Sequence, residues 1–343
     1  MQRSDDMRIH DVVLEEEKDQ VQSFLKQFDL TYEDDIDDTI IITENDCIIA
    51  TASTSVNIIK CIAIAPAYQG QNMTSLLLTE MIKRLANKGI NHYFVYTLDE
   101  QVPLFKALGL KPIVQTMTLA LLEGGKNIQD TLQKLKTEYA INDASKAAVV
   151  INANPLTLGH LHLIETARKQ HPALLVFVVS EDRSVFPFKA RLAIVKKACE
   201  SFDNVTVLPS LDYLVSYATF PKYFLQKEAN IREEHAMIDV LVFKKYYMKT
   251  FNIVKRYVGE EPMSEMTAMY NKTLKKYLTN QLEIIPRKQL KDSVISASTV
   301  RNLLKKDHQD HAYQYLPQAT VDFLETKEGK DAIRRLKKRA TRH

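Results

Sequence analysis

The sequence has few cysteines, almost no net charge and no long apolar run, and each shortage excludes a class of protein. Cys47, Cys61 and Cys199 are too few and too scattered for a disulfide framework or a cysteine metal site, which fits a reducing compartment. With 46 basic and 43 acidic residues, the net charge of +3 points to neither nucleic acid nor a membrane surface. No run approaches membrane-spanning length, and the first residues lack the apolar core of a signal peptide. We therefore expect a cytoplasmic protein without nucleic-acid or membrane partners.

The length of the chain predicts two domains. Its 343 residues exceed the roughly 250–300 that one hydrophobic core usually serves. The composition, 45% hydrophobic and 26% charged, is that of a globular protein, and the sequence contains no internal repeat. The stretch from Glu123 to Lys146, in which Gly124-Gly125 is followed by a polar helical segment, has the character of a connection. We place the domain boundary near residue 144.

One stretch, Ala147 to Gln170, combines three features of an anion-binding site. It opens with the apolar run of a buried parallel strand, and a turn rich in Asn and Pro follows. Gly159 and His160 then begin a segment with apolar residues at helical spacing. The first N–H groups of a helix lack intrahelical partners and lie at its positive end. This arrangement predicts a site for a nucleotide triphosphate.

The residues after this stretch alternate between short apolar runs and helical patterns. Strands are predicted at Ala173 to Ser180, Val205 to Leu208 and Leu282 to Ile285, with helices between them. Such alternation predicts a doubly wound parallel sheet, in which ligands bind beyond the carboxyl ends of the strands.

Specific motifs support this interpretation. Thr157-Leu158-Gly159-His160 resembles the (H/T)xGH motif of the nucleotidyltransferase superfamily. The longer string NANPLTLGHLHLIETA is similar to one branch of that superfamily, the citrate lyase ligases. The resemblance implies that residues 145–343 form a Rossmann-like nucleotidyltransferase domain that ends in additional helices.

The first 144 residues resemble a GNAT-type N-acetyltransferase domain, an α/β fold that citrate lyase ligases also carry in this position. The string AIAPAYQGQNMTSLLLTEMIKRL stands where that family has its acetyl-CoA pyrophosphate loop. Asn72 and Thr74 replace the two small residues of the family pattern, and we expect their side chains to crowd the loop. The predicted fold class is therefore a GNAT-like α/β domain followed by a doubly wound domain.

A second motif, ISASTVR at Ile295 to Arg301, resembles the ISSTxxR motif with which adenylyltransferases bind the β- and γ-phosphates. Hydroxyls at a helix start and an arginine on its first turn are suited to phosphate oxygens. The alternative is an ordinary serine-rich helix cap. Because the motif follows TxGH in the expected order, we favour phosphate binding by Ser296, Ser298, Thr299 and Arg301.

Further candidates come from position within the resemblance. Lys189 and Arg191 stand where related enzymes carry basic residues near the triphosphate, although a solvated helix face is the alternative. Asn152 and Asn154 either cap the loop or contact the nucleotide, and we favour contact for Asn154. Nucleotide contacts are also predicted for Pro155, for Gly159, and for Gly259 and Glu261 of a loop similar to the family's G-x-E-P. No metal ligands are predicted among the protein side chains.

The resemblance implies an ATP-dependent acetylation of the prosthetic-group thiol on the citrate lyase acyl carrier subunit. Acetate would attack the α-phosphorus, Mg²⁺ would bridge the phosphates, and AMP and pyrophosphate would be released. Thr157, His160, Lys189 and Arg301 would serve catalysis. Two alternatives are an adenylyltransferase for a small phosphorylated substrate and a non-catalytic module that binds acyl-CoA or a carrier protein.

Overall fold

The structure, a computed structural model, describes residues 7–214, 228–260, 265–290 and 293–338. Its contacts divide the chain into two compact units. The first comprises Met1–Thr131 and Pro221–Ile238, and the second Leu132–Phe220 and Asp239–His343. The first unit is therefore discontinuous in sequence. The domain boundary near residue 144 stays a prediction.

The first unit is built on a seven-stranded mixed sheet. The strands are β1 Arg8–Asp11, β2 Asp38–Glu44, β3 Cys47–Ser55, β4 Ile58–Ile64, β5 Tyr93–Leu98, β6 Lys111–Gln115 and β7 Leu119–Gly124. Their order is β1-β2-β3-β4-β5-β7-β6. All neighbours are antiparallel except β4 and β5, which run parallel and pair only at Ile58 with Phe94 and at Ile59 with Val95.

Three helices belong wholly to the first part of this unit: α1 Glu15–Lys26, α2 Met73–Asn87 and α3 Val102–Ala107. Helix α2 buries Leu77, Leu78, Met81 and Leu85, whose spacing of three to four residues places them on one face. This face packs on Ile40, Ile42 and other buried residues of the sheet.

The loop that precedes α2 stands where the resemblance expects the acetyl-CoA pyrophosphate loop. Asn72, which replaces a small residue of that pattern, adopts a left-handed conformation with φ 61°. Asn tolerates this conformation better than most non-glycine residues.

The expectation that a connection begins at Glu123 is wrong at its start, because Glu123 and Gly124 end strand β7. A Cβ on Gly124 would meet the Tyr93 ring at 2.3 Å. Gly125, at φ +80°, lies so close to the Asn91 carbonyl that a Cβ would be 1.9 Å from its oxygen. These glycines permit close packing at the end of the sheet, which is a different role from the start of a connection.

The second unit contains a five-stranded sheet of β8 Lys146–Ile151, β9 Leu174–Val178, β10 Val205–Pro209, β11 Ile253–Gly259 and β12 Leu282–Ile285. The order is β10-β9-β8-β11-β12, and every neighbouring pair is parallel. The order reverses at β8, as in a doubly wound sheet. The predicted fold class, a mixed α/β domain and a doubly wound parallel-sheet domain, is confirmed.

Ten further helices occur among the described residues, and two of them belong to this unit only in part. They are α4 Ile128–Glu138, α5 Leu158–Gln170, α6 Phe188–Ala198, α7 Glu228–Val242, α8 Met248–Phe251, α9 Glu265–Leu278, α10 Ala297–Lys305, α11 Gln309–Tyr313, α12 Gln318–Glu325 and α13 Lys327–Lys338. A π-helical turn, Phe243–Tyr247, joins α7 to α8, and two short antiparallel strands, β13 Gln289–Leu290 and β14 Ser293–Val294, precede α10. The division between the two units falls within two of these helices: after Thr131 in α4 and after Ile238 in α7.

Candidate active site

The first turn of α5 fixes the ring of His160. Its Nδ1 accepts a hydrogen bond from the Thr157 backbone N–H at 3.1 Å and lies 2.9 Å from Thr157 Oγ1. The Thr157 hydroxyl oxygen also accepts the His160 backbone N–H at 3.4 Å, which completes a capping box. A ring nitrogen that accepts a backbone N–H carries no proton, so the neutral imidazole holds its proton on Nε2. His160 therefore presents Nε2–H as a hydrogen-bond donor.

The surroundings of His160 keep the ring neutral. Burial, together with the nearby positive charges of Arg287 and Arg301, lowers the pKa of His160 to about 4. At pH 7 the residue can donate a hydrogen bond from Nε2 but carries no charge. Any positive charge at this site therefore comes from its neighbours.

The structure brings the two predicted phosphate motifs together. Arg301 donates through Nη1 to the backbone carbonyl of Asn154 at 2.7 Å and through Nη2 to Ser298 Oγ at 3.1 Å. Asn154 is buried, and its Oδ1 accepts the Phe186 backbone N–H at 3.2 Å. The Arg301 contact joins residues 147 positions apart in sequence. Pro155, also buried, follows Asn154 through a cis peptide bond.

The start of α5 packs closely against the residue that precedes α10. A Cβ on Gly159 would lie 3.2 Å from the Ile295 carbonyl oxygen, a tight contact that glycine avoids. The Leu158 backbone N–H donates to the Tyr315 carbonyl at 2.9 Å. The two helix N-termini therefore lie side by side.

At the start of α10, the helix cap that was the alternative interpretation is present. Ser296 Oγ accepts the Thr299 backbone N–H at 3.0 Å and lies 2.8 Å from Thr299 Oγ1. Ser298 contacts Arg301, as described above. Phosphate binding by these hydroxyls stays a prediction, and a capped helix start is compatible with it.

The Arg191 side chain is buried, and its donors bind oxygens of the protein itself. It is 0% exposed, and burial lowers its pKa to about 10. Its Nε donates to the Phe186 carbonyl at 2.9 Å, and its Nη1 donates to Asn152 O and Oδ1, each at 2.7 Å, and to the Val179 carbonyl at 2.8 Å. Its Nη2 donates to the Glu181 carbonyl. The guanidinium thus joins the loops that follow β8 and β9, and Asn152 serves as one of its acceptors.

Two of the remaining candidates, Lys189 and Gly259, lie in more open positions. Lys189 is exposed in the first turn of α6 and makes no hydrogen bond or ion pair with the residues that the structure describes. Gly259 ends β11 with nothing within 4 Å of where a Cβ would be, and its carbonyl accepts the Asn271 side-chain amide at 3.1 Å. Glu261 lies outside the described residues. The binding roles of all these residues stay predictions.

Known proteins match this chain over most of its length. A sequence profile described as "Citrate lyase ligase C-terminal domain" matches residues 146–324. The chain is 31% identical to the citrate (pro-3S)-lyase ligase of Klebsiella pneumoniae over 317 residues, which cover 90% of this chain and 92% of that protein. The Escherichia coli strain K12 ligase is also 31% identical, over 320 residues that cover 89% and 90% of the two chains. This chain belongs to the citrate lyase ligase family. It is thus an enzyme of the ligase class, as the motifs predict.

Solved structures similar to this family member cover its first part. Escherichia coli ElaA is 12% identical with a TM-score of 0.30, and the match covers 34% of this chain and 99% of that chain. A GNAT family acetyltransferase from Elizabethkingia anophelis with acetyl-CoA bound is 17% identical with a TM-score of 0.26, covering 36% and 100%. At these scores the similarity says nothing about what the first unit binds.

Arg287 is a charged residue of the site that the motifs do not indicate. It follows β12, its Nε donates to the Glu260 carbonyl at 2.6 Å, and its charge contributes to the lowered pKa of His160. The string PRK that contains it matches no phosphate pattern. Its position two residues after a parallel strand is the one signal that could have drawn attention to it.

The described residues contain neither a metal-ligand cluster nor a membrane-spanning helix. Within the described stretches, no three His, Cys, Asp or Glu side chains gather in a way that could hold a metal ion. In the same stretches, no helix has the length and apolar character needed to cross a membrane.

Proposed function

We propose that this ligase acetylates the prosthetic-group thiol on the acyl carrier subunit of citrate lyase, using acetate and ATP. The relatives' names give citrate lyase as their target. The observation that carries the nucleotide chemistry is the Arg301 hydrogen bond to Asn154, which joins the two phosphate motifs around His160. In the proposed product the carrier holds an acetyl thioester, and citrate lyase is thereby activated.

The reaction is proposed to have two steps. An acetate oxygen attacks the α-phosphorus of ATP. The bond between the α-phosphorus and the oxygen that bridges the α- and β-phosphates breaks, and pyrophosphate leaves. The carrier thiolate then attacks the carbonyl carbon of acetyl-adenylate, the acyl–oxygen bond breaks, and AMP leaves. The thiol proton is released to solvent. Neither step requires a nucleophile from the enzyme.

The proposed role of the protein is positioning and charge stabilisation. His160 donates Nε2–H to an oxygen of the α-phosphoryl group, and Thr157 keeps the ring in the tautomer that can do so. Arg301, with the hydroxyls of Ser296, Ser298 and Thr299, holds the leaving pyrophosphate. Lys189, which is exposed in the first turn of α6, is proposed to contact the phosphates as well.

The described residues do not fit a metal site made by the protein. The side chains around His160 are hydroxyls and guanidinium groups, whereas Mg²⁺ prefers carboxylates and phosphate oxygens. We therefore propose that Mg²⁺ arrives on the phosphates of ATP as part of the substrate, and we assign no residue to hold it.

A cytoplasmic setting is part of the proposal. The carrier must present a free thiol, and all three cysteines of this chain are free. Burial raises the pKa of Cys61 to about 12 and that of Cys199 to about 11, which makes both unreactive as nucleophiles at pH 7.

A pyrophosphate-release assay tests the proposal. We expect acetate-dependent pyrophosphate release from MgATP, and an acetyl thioester on the reduced carrier subunit when that subunit is added. Release that requires a small phosphorylated substrate in place of acetate would indicate a plain adenylyltransferase. Absence of release under all conditions, with the carrier still bound, would indicate a non-catalytic binding module.

A further inference from the structure

The side chain of Arg287 is fixed at the carboxyl edge of the parallel sheet. It lies two residues beyond the end of β12, and its Nε donates to the Glu260 carbonyl at 2.6 Å. Glu260 directly follows β11, and its backbone N–H donates to the Ile285 carbonyl at 2.8 Å. Arg287 therefore bridges the ends of two neighbouring strands, at the edge where ligands bind in such sheets.

The same segment is attached to the phosphate motifs. The Lys288 carbonyl accepts the Ile295 backbone N–H at 3.2 Å, and Ile295 directly precedes the Ser296 cap of α10. The Ile295 carbonyl, in turn, packs against Gly159 at the start of α5. Arg287 thus lies between the loop after β11 and the two helix N-termini of the site.

The charge of Arg287 acts on the proposed reacting centre. After burial, it is the largest cause of the lowered pKa of His160, ahead of Arg301. His160 is the residue assigned to the α-phosphoryl group, whereas Arg301 is assigned to the β- and γ-phosphates. Both arginines act on this ring, and the larger effect of Arg287 makes it the better candidate for the α-phosphoryl position.

We propose that Arg287 is a second cationic contact of the nucleotide, placed at the α-phosphate beside His160, while Arg301 serves the distal phosphates. This inference rests on the proposed use of ATP. Arginine has a planar set of donors that matches phosphate oxygens, and the bond to the Glu260 carbonyl fixes its orientation. A cation at this position stabilises the charge that develops on the α-phosphoryl group in both proposed steps.

Calorimetric titration of AMP and of MgATP into Arg287→Gln tests the proposal. Both nucleotides carry the α-phosphate, so both should bind roughly ten- to a hundredfold more weakly than to the unaltered protein. Lys288→Gln is the matched control. It removes the same charge from the adjacent exposed side chain, and its nucleotide affinities should not change. Unchanged affinities in Arg287→Gln, or equal losses in both variants, would overturn the proposal.

A second measurement does not depend on nucleotide. Removing a positive charge near His160 should raise the pKa of its ring, which NMR can follow in the protein without ligand. We expect this rise in Arg287→Gln but not in Lys288→Gln. If the unaltered protein binds neither nucleotide, the proposed function fails. The His160 titration then decides whether Arg287 faces the site, and an unshifted pKa would reject that placement.

Arg287→Lys covers the case in which Arg287→Gln does not fold. Lysine keeps the charge but loses the planar donors, so AMP and MgATP should both bind several-fold more weakly, and the pKa of His160 should change little. AMP affinity equal to that of the unaltered protein would overturn the proposal.

Discussion

At the scale of single residues, His160 combines a fixed tautomer with a neutral ring, and both properties follow from its neighbours. Nδ1 is used by Thr157, which leaves Nε2–H as the only ring donor. A neutral donor can approach a phosphoryl oxygen and strengthen its hydrogen bond as charge develops there, without moving a proton. This geometry separates the role of His160 from that of the arginines, which supply the charge.

His160→Asn tests the donor at Nε2. The asparagine side-chain oxygen can still accept the Thr157 N–H, so the cap and the fold should be kept, while the donor toward the α-phosphoryl group is lost. We expect pyrophosphate release to slow by roughly two to three orders of magnitude, as for the loss of one transition-state donor. Circular dichroism serves as the control for folding. An unchanged turnover in the folded variant would remove His160 from the mechanism.

The lowered pKa of His160 also predicts how stability depends on pH. The folded pKa is about 4 and the ordinary value is 6.5. Below 6.5 the unfolded chain takes up a proton that the folded site excludes, so this contribution to stability falls until the pH passes about 4. Chemical denaturation of the unaltered protein and His160→Asn at pH 7.5 and pH 5 measures it. The unaltered protein should lose more stability over this interval, and equal losses would contradict the lowered pKa.

Arg191 shows what a motif cannot reveal about a single residue. Its place in FPFKARL gives the same expectation as that of Lys189, a basic residue near the phosphates. In the structure, Lys189 is exposed and Arg191 has 0% exposure, with donors directed at the oxygens of four other residues. Its acceptors are mainly backbone carbonyls, which no side-chain pattern identifies.

At the scale of elements, the N-termini of α5 and α10 form the proposed nucleotide site together, and Arg301 connects them. One of its nitrogens holds the Asn154 carbonyl and the other meets Ser298. A guanidinium can serve as a bridge and still face phosphate oxygens because its donors lie along different edges of a plane. Lysine has no such plane.

Arg301→Lys tests which end of the nucleotide α10 holds. If this helix binds the β- and γ-phosphates, the variant should bind MgATP at least tenfold more weakly, with a much smaller loss for AMP. Lys306→Gln, an exposed change at the far end of the same helix, is the control and should alter neither affinity. Calorimetric titration of both nucleotides is the measurement. Equal weakening of ATP and AMP would place Arg301 at the α-phosphate or in the fold alone.

The elements differ in how well their sequences predict them. Strands β8 and β9 carry continuous apolar runs because both faces of a parallel sheet are buried, and the short length of these runs between turn residues indicates strands. The β6–β7 hairpin is not indicated, because its turn, Thr116 to Thr118, contains no Gly, Pro, Asn or Asp. Instead, the Thr116 hydroxyl oxygen accepts the Leu119 backbone N–H at 3.0 Å. A turn held by a threonine hydroxyl is difficult to predict from sequence, because threonine is a weaker turn former than Gly, Pro, Asn or Asp.

At the scale of the whole molecule, the chain order differs from the order of the compact units. The stretch that ends at Ile238, described from Glu228 onward, belongs with the first unit although it lies between two strands of the second unit in sequence. His235 on this stretch is 2% exposed, and its ring meets the Tyr96 ring edge-on at 5.6 Å. A composition shift along the sequence can mark a linker, but it cannot reveal that a later segment returns to an earlier unit. Long-range packing decides that.

This discontinuity predicts the behaviour of a shortened chain that begins at residue 145. His235 and its neighbours on α7 would lose the partners that bury them, so the shortened chain should self-associate in gel filtration and unfold at a lower temperature than the full chain. His235→Lys provides a crossed control. In the full chain it places a charge where the pKa of the native histidine is lowered to about 4 by burial, so it should destabilise the protein. In the shortened chain the same substitution places a positive charge within the newly exposed apolar surface around residue 235. It should therefore reduce self-association of the shortened chain. A shortened chain that is monomeric, with the thermal midpoint of the full protein, would show that the second part folds independently from residue 145.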